Sequence, residues 1–306
     1  MRKAIISGST GLVGVAVSNY LASKNVDILC LGRKPLTKLQ IKETFGYPIN
    51  YMVLPMQKIN NLHKEIRKFK CKVNDNCVFF NFAWSGQNNL TDGTFDDQLK
   101  NVTYTTNAIK EAKKLGCVKF VNAGSLEETF AENYLKNKKN ITFVSNQKNY
   151  TLAKLTNRNM CKIVSYLEKI DYIHTRISLP LSPNLNKGTY VANTLKKILK
   201  GETIEPPTNN RLFDIIFTED VAKAYYLIGN YGKNNSDYFI GTSKPIRLEE
   251  YFSKFKKNIS IKKKNFFRKK LSNSDLNIFS IKKLKNDTGF NPTTDCFKIK
   301  IDNNCR

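Results

Sequence analysis

Residues 4–14 read Ala4-Ile5-Ile6-Ser7-Gly8-Ser9-Thr10-Gly11-Leu12-Val13-Gly14, and this stretch decides which fold the sequence favours. The apolar run before the first glycine predicts a buried strand, and Val13, Val17 and Leu21 predict a helix with one apolar face. Glycine lets the backbone turn sharply and approach a pyrophosphate, and the free N–H groups of a helix N-terminus favour negative charge. A glycine triplet alone can be a chance turn. The strand before it and the helix after it indicate a dinucleotide-binding turn.

Length and composition indicate a globular chain of moderate size. The chain has 306 residues, of which 41% are hydrophobic, and this length allows one large domain or two lobes. No apolar run reaches the ~18 residues that a membrane span requires, and the first residues lack the basic and hydrophobic regions of a signal peptide. We therefore expect a cytoplasmic protein with no membrane partner.

Cysteine and histidine do not form a metal-binding pattern. The seven cysteines are odd in number, scattered and without a Cys-x-x-Cys pair, so reduced and mostly buried thiols are expected. His63 and His174 are the only histidines. We therefore expect no metal and no histidine-based triad, and we expect His174 to be packed in a strand.

The chain is strongly basic, with 51 Lys and Arg against 25 Asp and Glu and a formal net charge of +26. One interpretation is a surface for nucleic acid or an anionic membrane, for which residues 254–271 are the best local candidate, since basic residues alternate there with Phe255, Phe266 and Phe267. The other is a compositional surplus of lysine over every exposed face. Lysine is dense from end to end, so the second interpretation is favoured and nucleic acid is not the expected partner.

Strands and helices alternate through the first half of the chain. Apolar runs predict four more strands at residues 26–31, 51–54, 77–82 and 119–123. A helical pattern covers residues 96–114, and Gly116 stands just past its end. Such alternation predicts an α/β fold of Rossmann type, a doubly wound and mostly parallel sheet with helices on both faces.

The pattern is less regular after about residue 175. Four prolines divide this part into short pieces, which is typical of a smaller mixed lobe that closes over a ligand: Pro180, Pro183, Pro206 and Pro207. We predict an NAD(P)-binding Rossmann domain over residues 1–175, to which a segment around 211–241 returns. Residues 176–306 are predicted to form mainly a substrate-binding lobe.

A second constellation consists of Ser125, Tyr150 and Lys154. Ser125 ends the fifth predicted strand, at the sheet edge where open α/β folds bind ligands. Tyr150 and Lys154 are four residues apart and so share one face of a helix. An ammonium group beside a phenol favours the phenolate and is expected to lower the phenol's pKa, while the serine hydroxyl can polarise a carbonyl. This pair alone would usually be ordinary surface residues, but the glycine turn and Ser125 favour catalysis.

With these residues the chain resembles the extended short-chain dehydrogenase/reductases, and within them the NAD(P)-dependent nucleotide-sugar epimerases, dehydratases and reductases. The resemblance extends over nearly the whole chain. It rests on Gly8-x-x-Gly11-x-x-Gly14, Asn81-Phe82-Ala83-Trp84, Asn101-Val102, Thr106-Asn107-Ala108-Ile109, Phe217-Thr218-Glu219-Asp220-Val221-Ala222, Tyr238-Phe239-Ile240-Gly241 and Thr288-Gly289-Phe290-Asn291-Pro292.

The resemblance implies three sets of site residues and a homodimer formed through the helices that carry Asn101 and Tyr150. The catalytic set is Ser125, Tyr150, Lys154 and Asn101. The cofactor-binding set is Gly8, Ser9, Thr10, Gly11, Leu12, Val13, Gly14, Arg33, Lys34, Ala83, Tyr150, Lys154 and Ile177. The substrate-binding set is Trp84, Ser85, Leu126, Glu127 and Arg211, with Arg211 as a substitute for a family arginine replaced here by Phe213.

Two departures from the family pattern narrow the chemistry. Dehydratases of this group carry an Asp-Glu pair directly after the strand-five hydroxyl residue, whereas Leu126 follows Ser125 here and cannot donate a proton. Dehydration is therefore disfavoured. Leu179 stands where the family usually has Asn, and Leu181-Ser182-Pro183 replaces the usual Tyr-Gly-Pro, so the substrate contacts of that loop stay open.

The end of the second strand indicates the cofactor. NAD enzymes place an Asp or Glu there to bind the ribose hydroxyls, whereas Leu31-Gly32-Arg33-Lys34 has two cations and no carboxylate. The basic pair can also be read as a solvated turn. The missing carboxylate favours NADP(H), with NAD(H) as the alternative.

We expect an NADPH-dependent reductase of a nucleotide-linked 4-keto (6-deoxy) sugar that serves surface polysaccharide synthesis. Hydride would go to the C4 ketone, Tyr150 would donate the proton, and Asn101 would support the proton relay. One alternative is a nucleotide-sugar 4-epimerase with tightly bound NAD. Another is a non-catalytic dinucleotide-fold module for RNA binding or redox sensing, against which the intact Ser125, Tyr150 and Lys154 set argues.

Overall fold

The computed structural model describes residues 1–68, 76–137, 147–185, 189–207, 211–259 and 277–295. Within these ranges the strands are β1 (Lys3–Ser7), β2 (Asp27–Gly32), β3 (Asn50–Val53), β4 (Cys77–Asn81), β5 (Lys119–Ser125), β6 (Asp171–Ile177), β7 (Leu179–Leu181), β8 (Leu212–Phe213), β9 (Ile215–Phe217), β10 (Ser236–Ile240) and β11 (Ile246–Arg247). Seven of them form one parallel sheet in the order β10-β6-β5-β4-β1-β2-β3. The predicted Rossmann-type sheet is confirmed, and the predicted strands agree with the observed ones to within two residues at each end.

Helices cover both faces of this sheet. The described helices are α1 (Leu12–Ser23), α2 (Lys38–Phe45), α3 (Leu62–Lys68), α4 (Phe95–Lys114), α5 (Leu126–Asn137), α6 (Lys148–Leu167), α7 (Tyr190–Leu199), α8 (Thr218–Tyr231), α9 (Leu248–Ile259) and α10 (Lys282–Thr288), with a 3-10 helix at Met56–Asn61. On one face α1 packs against α8, burying Val17 and Leu21 with Val221. On the other face α4 packs against α6, and Ile109 and Cys161 lie in a second core. Apolar residues on both sides of each buried strand account for the two cores.

The start of α4 is fixed by its sequence. Thr94 and Asp97 form a capping box, in which the Asp97 N–H donates to the Thr94 hydroxyl (3.2 Å) and the Thr94 N–H donates to the Asp97 carboxylate (3.2 Å). A cap of this kind stabilises a helix by about 1 kcal/mol. Gln98 and Asn101 follow in the next turn and bond the segment after β4, Gln98 at the Trp84 indole and Asn101 at the Ser85 backbone.

A smaller mixed lobe follows β6. In it β7 pairs in parallel with β9, β8 pairs antiparallel with β11, and α7 packs against α9. Leu195, Phe217 and Phe252 are buried in its own core. A single residue separates β6 from β7, so this lobe begins directly at the carboxyl edge of the main sheet.

The chain returns to the main sheet after β9. There α8 covers α1, and β10 pairs with β6 in the register Ser236 to Ile173. These elements lie inside the segment for which the sequence predicts a return. The division at residue 175 itself stays a prediction.

Several predictions from composition fall partly outside the described residues. Cys30, Cys77, Cys117 and Cys161 are buried free thiols, whereas Cys71, Cys296 and Cys305 lie outside the described residues. In the basic stretch 254–271, Phe255 is buried in the core of the smaller lobe, and residues 260–271 lie outside the described residues. Among the helices described here, none is both long and apolar enough to cross a membrane.

Candidate active site

The glycine turn between β1 and α1 has no room for side chains at two positions. Gly8 has φ +67°, and a Cβ there would lie 2.6 Å from the backbone nitrogen of Ala83. A Cβ on Gly14 would overlap the carbonyl oxygen of Gly8 and lie 2.8 Å from Cα of Ser9. The turn therefore presses against the end of β4, and α1 presses against the turn. These close approaches are the reason for glycine at both places.

A cavity of about 510 Å³ opens beside this turn, and we call it the glycine-turn cavity. Its wall includes ten residues of the predicted cofactor and substrate sets, together with Asn101 of the catalytic set: Gly8, Thr10, Gly11, Leu12, Val13, Gly14, Arg33, Ala83, Trp84 and Ser85. Eleven further wall residues belong to none of the predicted sets: Ser7, Leu31, Gly32, Leu54, Met56, Gln57, Phe82, Leu90, Leu179, Pro180 and Thr189. Leu179 and Pro180 bring the smaller lobe to this wall. The volume suits a small organic ligand.

Five residues predicted to bind the cofactor lie off this wall: Ser9, Lys34, Tyr150, Lys154 and Ile177. The Ser9 hydroxyl is buried and donates to the carbonyl of Leu31 (3.0 Å). Ile177 is buried in the core at the end of β6. Lys34 contributes its carbonyl oxygen, which accepts a hydrogen bond from the Tyr51 hydroxyl (2.7 Å).

The geometry of the turn fits a dinucleotide. Gly11 is the N-cap of α1 and provides no side chain, so the first N–H groups of the helix are left without a side-chain cap. Uncapped N–H groups at a helix N-terminus bind phosphate. Arg33 is the one charged residue among the described residues of the wall, and no carboxylate accompanies it there.

Three of the four predicted catalytic side chains come together at the carboxyl edge of the sheet. Ser125 is the last residue of β5, and Tyr150 and Lys154 lie in the first two turns of α6. The Ser125 side chain lies near enough to the Tyr150 hydroxyl to lower its pKa. The Lys154 ammonium donates to the carbonyl of Ala123 (2.9 Å) and lies 5.8 Å from the centre of the Tyr150 ring. Both α6 residues are buried, at 6% and 5% exposure.

Burial governs the ionisation of this pair. Burial raises the pKa of Tyr150, the nearby Ser125 side chain opposes the rise, and the charges of Glu128 and Glu127 add to it. The pKa of the phenol is thus raised, whereas the sequence analysis expected Lys154 to lower it, and desolvation is the largest cause. Burial also lowers the pKa of Lys154 to about 8, against the opposing effect of Glu128. Near neutral pH the phenol is therefore protonated and the lysine is mostly charged.

Trp84 stands between this pair and the cavity. Its ring centre is 3.8 Å from the Lys154 nitrogen, and its ring meets the Tyr150 ring edge-on at 6.0 Å. Its indole N–H donates to the Gln98 side-chain oxygen (2.7 Å). Trp84 lines the cavity, whereas the described wall does not include Lys154 or Tyr150.

Asn101 holds the backbone next to Trp84. Its side-chain oxygen accepts from the Ser85 N–H (2.9 Å), and its amide nitrogen donates to the Ser85 carbonyl (2.8 Å). Its amide nitrogen also donates to carbonyl groups of α4, those of Asp97 (3.5 Å) and Gln98 (3.1 Å). In the described residues Asn101 thus fixes the segment after β4 rather than contacting the phenol of Tyr150.

The remaining predicted substrate residues lie at the start of α5 and before β8. Arg211 forms a two-point ion pair with Glu127 (2.5 and 3.1 Å), and its guanidinium lies 4.3 Å from the centre of the Phe130 ring. Leu126 is buried at the first position of α5. The structure therefore joins Glu127 and Arg211 to each other, outside the described wall of the glycine-turn cavity.

A buried polar cluster behind Ser125 was missed by the sequence analysis. The Glu128 carboxylate accepts from the Ser125 N–H (2.8 Å) and bonds the His174 ring (2.7 Å). Glu128 and His174 are both fully buried, as the sequence predicts for His174. Burial raises the pKa of Glu128, but His174, Arg176 and Lys154 more than offset this, so the pKa is lowered and the carboxylate is ionised. A histidine predicted inside a strand was the available signal, because a buried imidazole needs a hydrogen-bond partner.

Comparison with known proteins identifies the family. A family model described as the NAD dependent epimerase/dehydratase family matches residues 4–241. The chain belongs to this family. The resemblance seen in the sequence is therefore confirmed.

Solved structures with the same fold include members that bind NAD or a nucleotide sugar. A UDP-glucose 4-epimerase of Thermotoga maritima, solved with UDP-glucose, is 15% identical with a TM-score of 0.74, covering 97% of this chain and 96% of that chain. A UDP-glucose 4-epimerase of Thermus thermophilus, solved with NAD, is 14% identical with a TM-score of 0.70, covering 97% and 96%. The enzyme WbmF of Bordetella bronchiseptica, solved with NAD+, is 17% identical with a TM-score of 0.70, covering 96% and 88%. At these sequence identities, the similarity between this chain and the three solved structures shows a shared fold alone.

Proposed function

We propose that this family member is an NADPH-dependent reductase that acts on a nucleotide-linked 4-keto sugar. The observation that supports this best is the buried Tyr150, which lies beside Ser125 and Lys154 and next to the glycine-turn cavity. Reduction of a ketone requires a proton donor, and a phenol that is protonated at neutral pH can give its proton to the carbonyl oxygen. Tyr150 therefore suits the direction of reduction.

The residues of the chain have separate roles in this reaction. The nicotinamide, when bound, supplies the hydride. The Ser125 and Tyr150 hydroxyls bind the carbonyl oxygen, and the Tyr150 hydroxyl gives its proton to that oxygen as the alcohol forms. The Lys154 ammonium stabilises the phenolate that is left, until a proton from solvent restores the phenol. Leu126 cannot protonate a leaving hydroxyl, so the chain is not equipped for dehydration.

Two regions would hold the dinucleotide and the substrate. The first N–H groups of α1 and the backbone of Gly8, Ser9, Thr10, Gly11, Leu12, Val13 and Gly14 suit the pyrophosphate. Arg33 suits a 2′-phosphate, and Lys34 adds positive charge nearby. Ala83 and Ile177 would contact the nicotinamide half of the cofactor. Trp84, Ser85 and Leu126 would bound the sugar, and Arg211 with Glu127 would meet the nucleotide diphosphate.

A 4-epimerase is the second candidate. The fold neighbours include two UDP-glucose 4-epimerases, one of them solved with NAD. An epimerase oxidises and then reduces the same carbon, so it retains its cofactor and consumes none. In the reductase hypothesis the product would serve surface polysaccharide synthesis.

One assay separates these functions. The protein is incubated with NADPH and, in turn, with 4-keto-6-deoxysugars linked to dTDP, CDP, GDP and UDP, while the absorbance of reduced nicotinamide is followed. Consumption of NADPH with one of these substrates supports the reductase. Retention of NAD through purification, with interconversion of C4 stereoisomers and no net consumption, supports the epimerase. Failure of the protein to bind any dinucleotide would exclude both the reductase and the epimerase.

We also propose a homodimer formed through α4 and α6. The outer face of α6 exposes several large apolar side chains: Leu152, Met160, Ile163, Tyr166 and Leu167. Contiguous exposed apolar surface on a globular protein marks an interaction site, and a second copy of the chain is the partner that family membership favours.

A further inference from the structure

The contact between Trp84 and Lys154 bears on how a ligand reaches the lysine. The Lys154 ammonium has three N–H groups, of which one donates to the carbonyl of Ala123. The indole face of Trp84 covers another side of the ammonium at 3.8 Å. Lys154 is 5% exposed, and the described cavity wall reaches Trp84 but not Lys154. The indole thus occupies the approach from the cavity to the ammonium.

The position of the indole is fixed from its other edge. Gln98 is fully buried, and its side-chain oxygen accepts from the Trp84 indole N–H (2.7 Å). The Gln98 amide nitrogen donates to the carbonyls of Leu90 (3.2 Å) and Asp92 (2.6 Å). The backbone carbonyls therefore fix the Gln98 side chain. Gln98 in turn anchors one edge of the indole, and the Lys154 ammonium contacts the face of the indole. A desolvated cation–π contact is among the stronger interactions of this kind.

We propose that Trp84 covers Lys154 and must move from the ammonium before the nicotinamide half of a dinucleotide can reach it. The inference rests on the proposed function and on the place of Lys154 in the predicted cofactor-binding set, where its ammonium would donate to hydroxyls of the nicotinamide ribose. Binding then exchanges the indole for ribose hydroxyls on the same ammonium. Only the fraction of molecules with the indole displaced is competent for the whole dinucleotide, and apparent affinity falls by that fraction. Adenosine diphosphate, which ends at the glycine turn, does not need the exchange.

Chemical labelling tests the cover without any ligand. Wild type, Trp84→Ala and Trp84→Phe are treated with an amine-acylating reagent, and modification of each lysine is followed by peptide mass spectrometry. Lys148, which is exposed at the start of the same helix, is the internal control. Removal of the indole should speed labelling of Lys154 about tenfold relative to Lys148, while the aromatic ring of Trp84→Phe keeps the rate near that of wild type. Equal rates in wild type and Trp84→Ala overturn the proposal.

Calorimetry tests the exchange. NADP+ and adenosine diphosphate are titrated into wild type, Trp84→Ala and Trp84→Phe, after thermal melting has shown that each variant is folded. Trp84→Ala should bind NADP+ about threefold tighter or more than wild type and should bind adenosine diphosphate equally well. Unchanged or weaker binding of NADP+ by Trp84→Ala overturns the exchange.

The single tryptophan of the chain provides a direct signal of the movement. NADP+ should change the Trp84 emission of wild type, whereas saturating adenosine diphosphate should not. Binding of NADP+ by calorimetry with no change in emission overturns this inference alone and leaves the proposed function intact. Absence of NADP+ and NAD+ binding in every variant overturns the proposed function together with the exchange.

Discussion

Glu128 accepts a hydrogen bond from the backbone N–H of Ser125 at 2.8 Å, at the point where β5 ends and α5 begins. Its other oxygen bonds the His174 ring (2.7 Å), and Gly124 leaves the space in which these groups meet, because a Cβ there would overlap both of them. The carboxylate is thus placed to hold the backbone that carries the Ser125 hydroxyl. Its charge also opposes the lowering of the pKa of Lys154.

Loss of the Glu128 charge should destabilise the protein. We expect Glu128→Gln to lower the free energy of unfolding by about 3 kcal/mol at pH 7, because His174, Arg176 and Lys154 lose a buried anionic partner. Glu132→Gln is the control, since Glu132 lies one turn later on α5, pairs with Arg158 and Arg176, and is only partly buried. Its cost should be about 1 kcal/mol or less. Urea denaturation measures both.

The pH dependence of this effect has a definite sign. Because the pKa of Glu128 lies below its ordinary value of 4.5, its stabilisation is complete above that pH and is lost as the pH falls through the lowered value. The difference between wild type and Glu128→Gln should therefore shrink in acid. A difference that stays constant from neutral pH into acid would show that the carboxylate acts by shape alone.

Lys154 should reduce the stability of the fold. Its pKa of about 8, against an ordinary 10.5, corresponds to about 3 kcal/mol spent on keeping a buried charge at neutral pH. We expect Lys154→Met to raise the free energy of unfolding by about 1–2 kcal/mol at pH 7, after the loss of the Ala123 hydrogen bond and the Trp84 contact. The wild type gains stability as the pH rises from 8 to 10.5, so the advantage of the variant should fade over that window. Lys148→Met should stay within about 0.5 kcal/mol of wild type.

The phenol of Tyr150 should be essential for turnover and not for cofactor binding. We expect Tyr150→Phe to lower kcat by at least ~10²-fold, because only the proton donor is removed, with little change in the Kd of NADPH. Steady-state assays with the substrate that the panel identifies measure kcat, and calorimetry measures the Kd of NADPH. Near-normal turnover in this variant would exclude Tyr150 as the proton donor.

Arg33 and Lys34 should contribute unequally to cofactor choice. Arg33 lines the glycine-turn cavity, whereas Lys34 does not, and the Lys34 carbonyl holds Tyr51. We expect Arg33→Ala to reduce the preference for NADPH over NADH by about 1–3 kcal/mol, the scale of charge-assisted hydrogen bonds. Lys34→Ala is the matched control and should change the preference by less than half as much. Equal binding of both cofactors by the wild type would show that the basic pair is only a solvated turn.

The parts of this structure that follow from local sequence were predicted well. The strand, the glycine turn and the first helix lie within one short stretch, and Tyr150 and Lys154 share a helix face because of their spacing alone. The parts that depend on tertiary packing were not found. Glu128 meets His174 across 46 residues of sequence, and Arg211 meets Glu127 across 84. The direction of the Tyr150 pKa shift was wrong for the same reason, because burial is set by the packing of α6 against the sheet and not by the neighbour four residues away.

The outer face of α6 gives the test of assembly. Ile163 is 59% exposed and Tyr166 is 82% exposed, on the face that we propose to meet a second copy. We expect Ile163→Glu combined with Tyr166→Glu to weaken dimerisation about 100-fold or more, since charges would replace apolar residues near the centre of the interface. Leu39→Glu is the control, because Leu39 is also a large exposed apolar residue (64%) but lies on α2. Sedimentation velocity over a concentration series measures the dimer constant. A wild type that sediments as a monomer throughout, or a double variant that dimerises as tightly as Leu39→Glu, would exclude α6 as the dimer face.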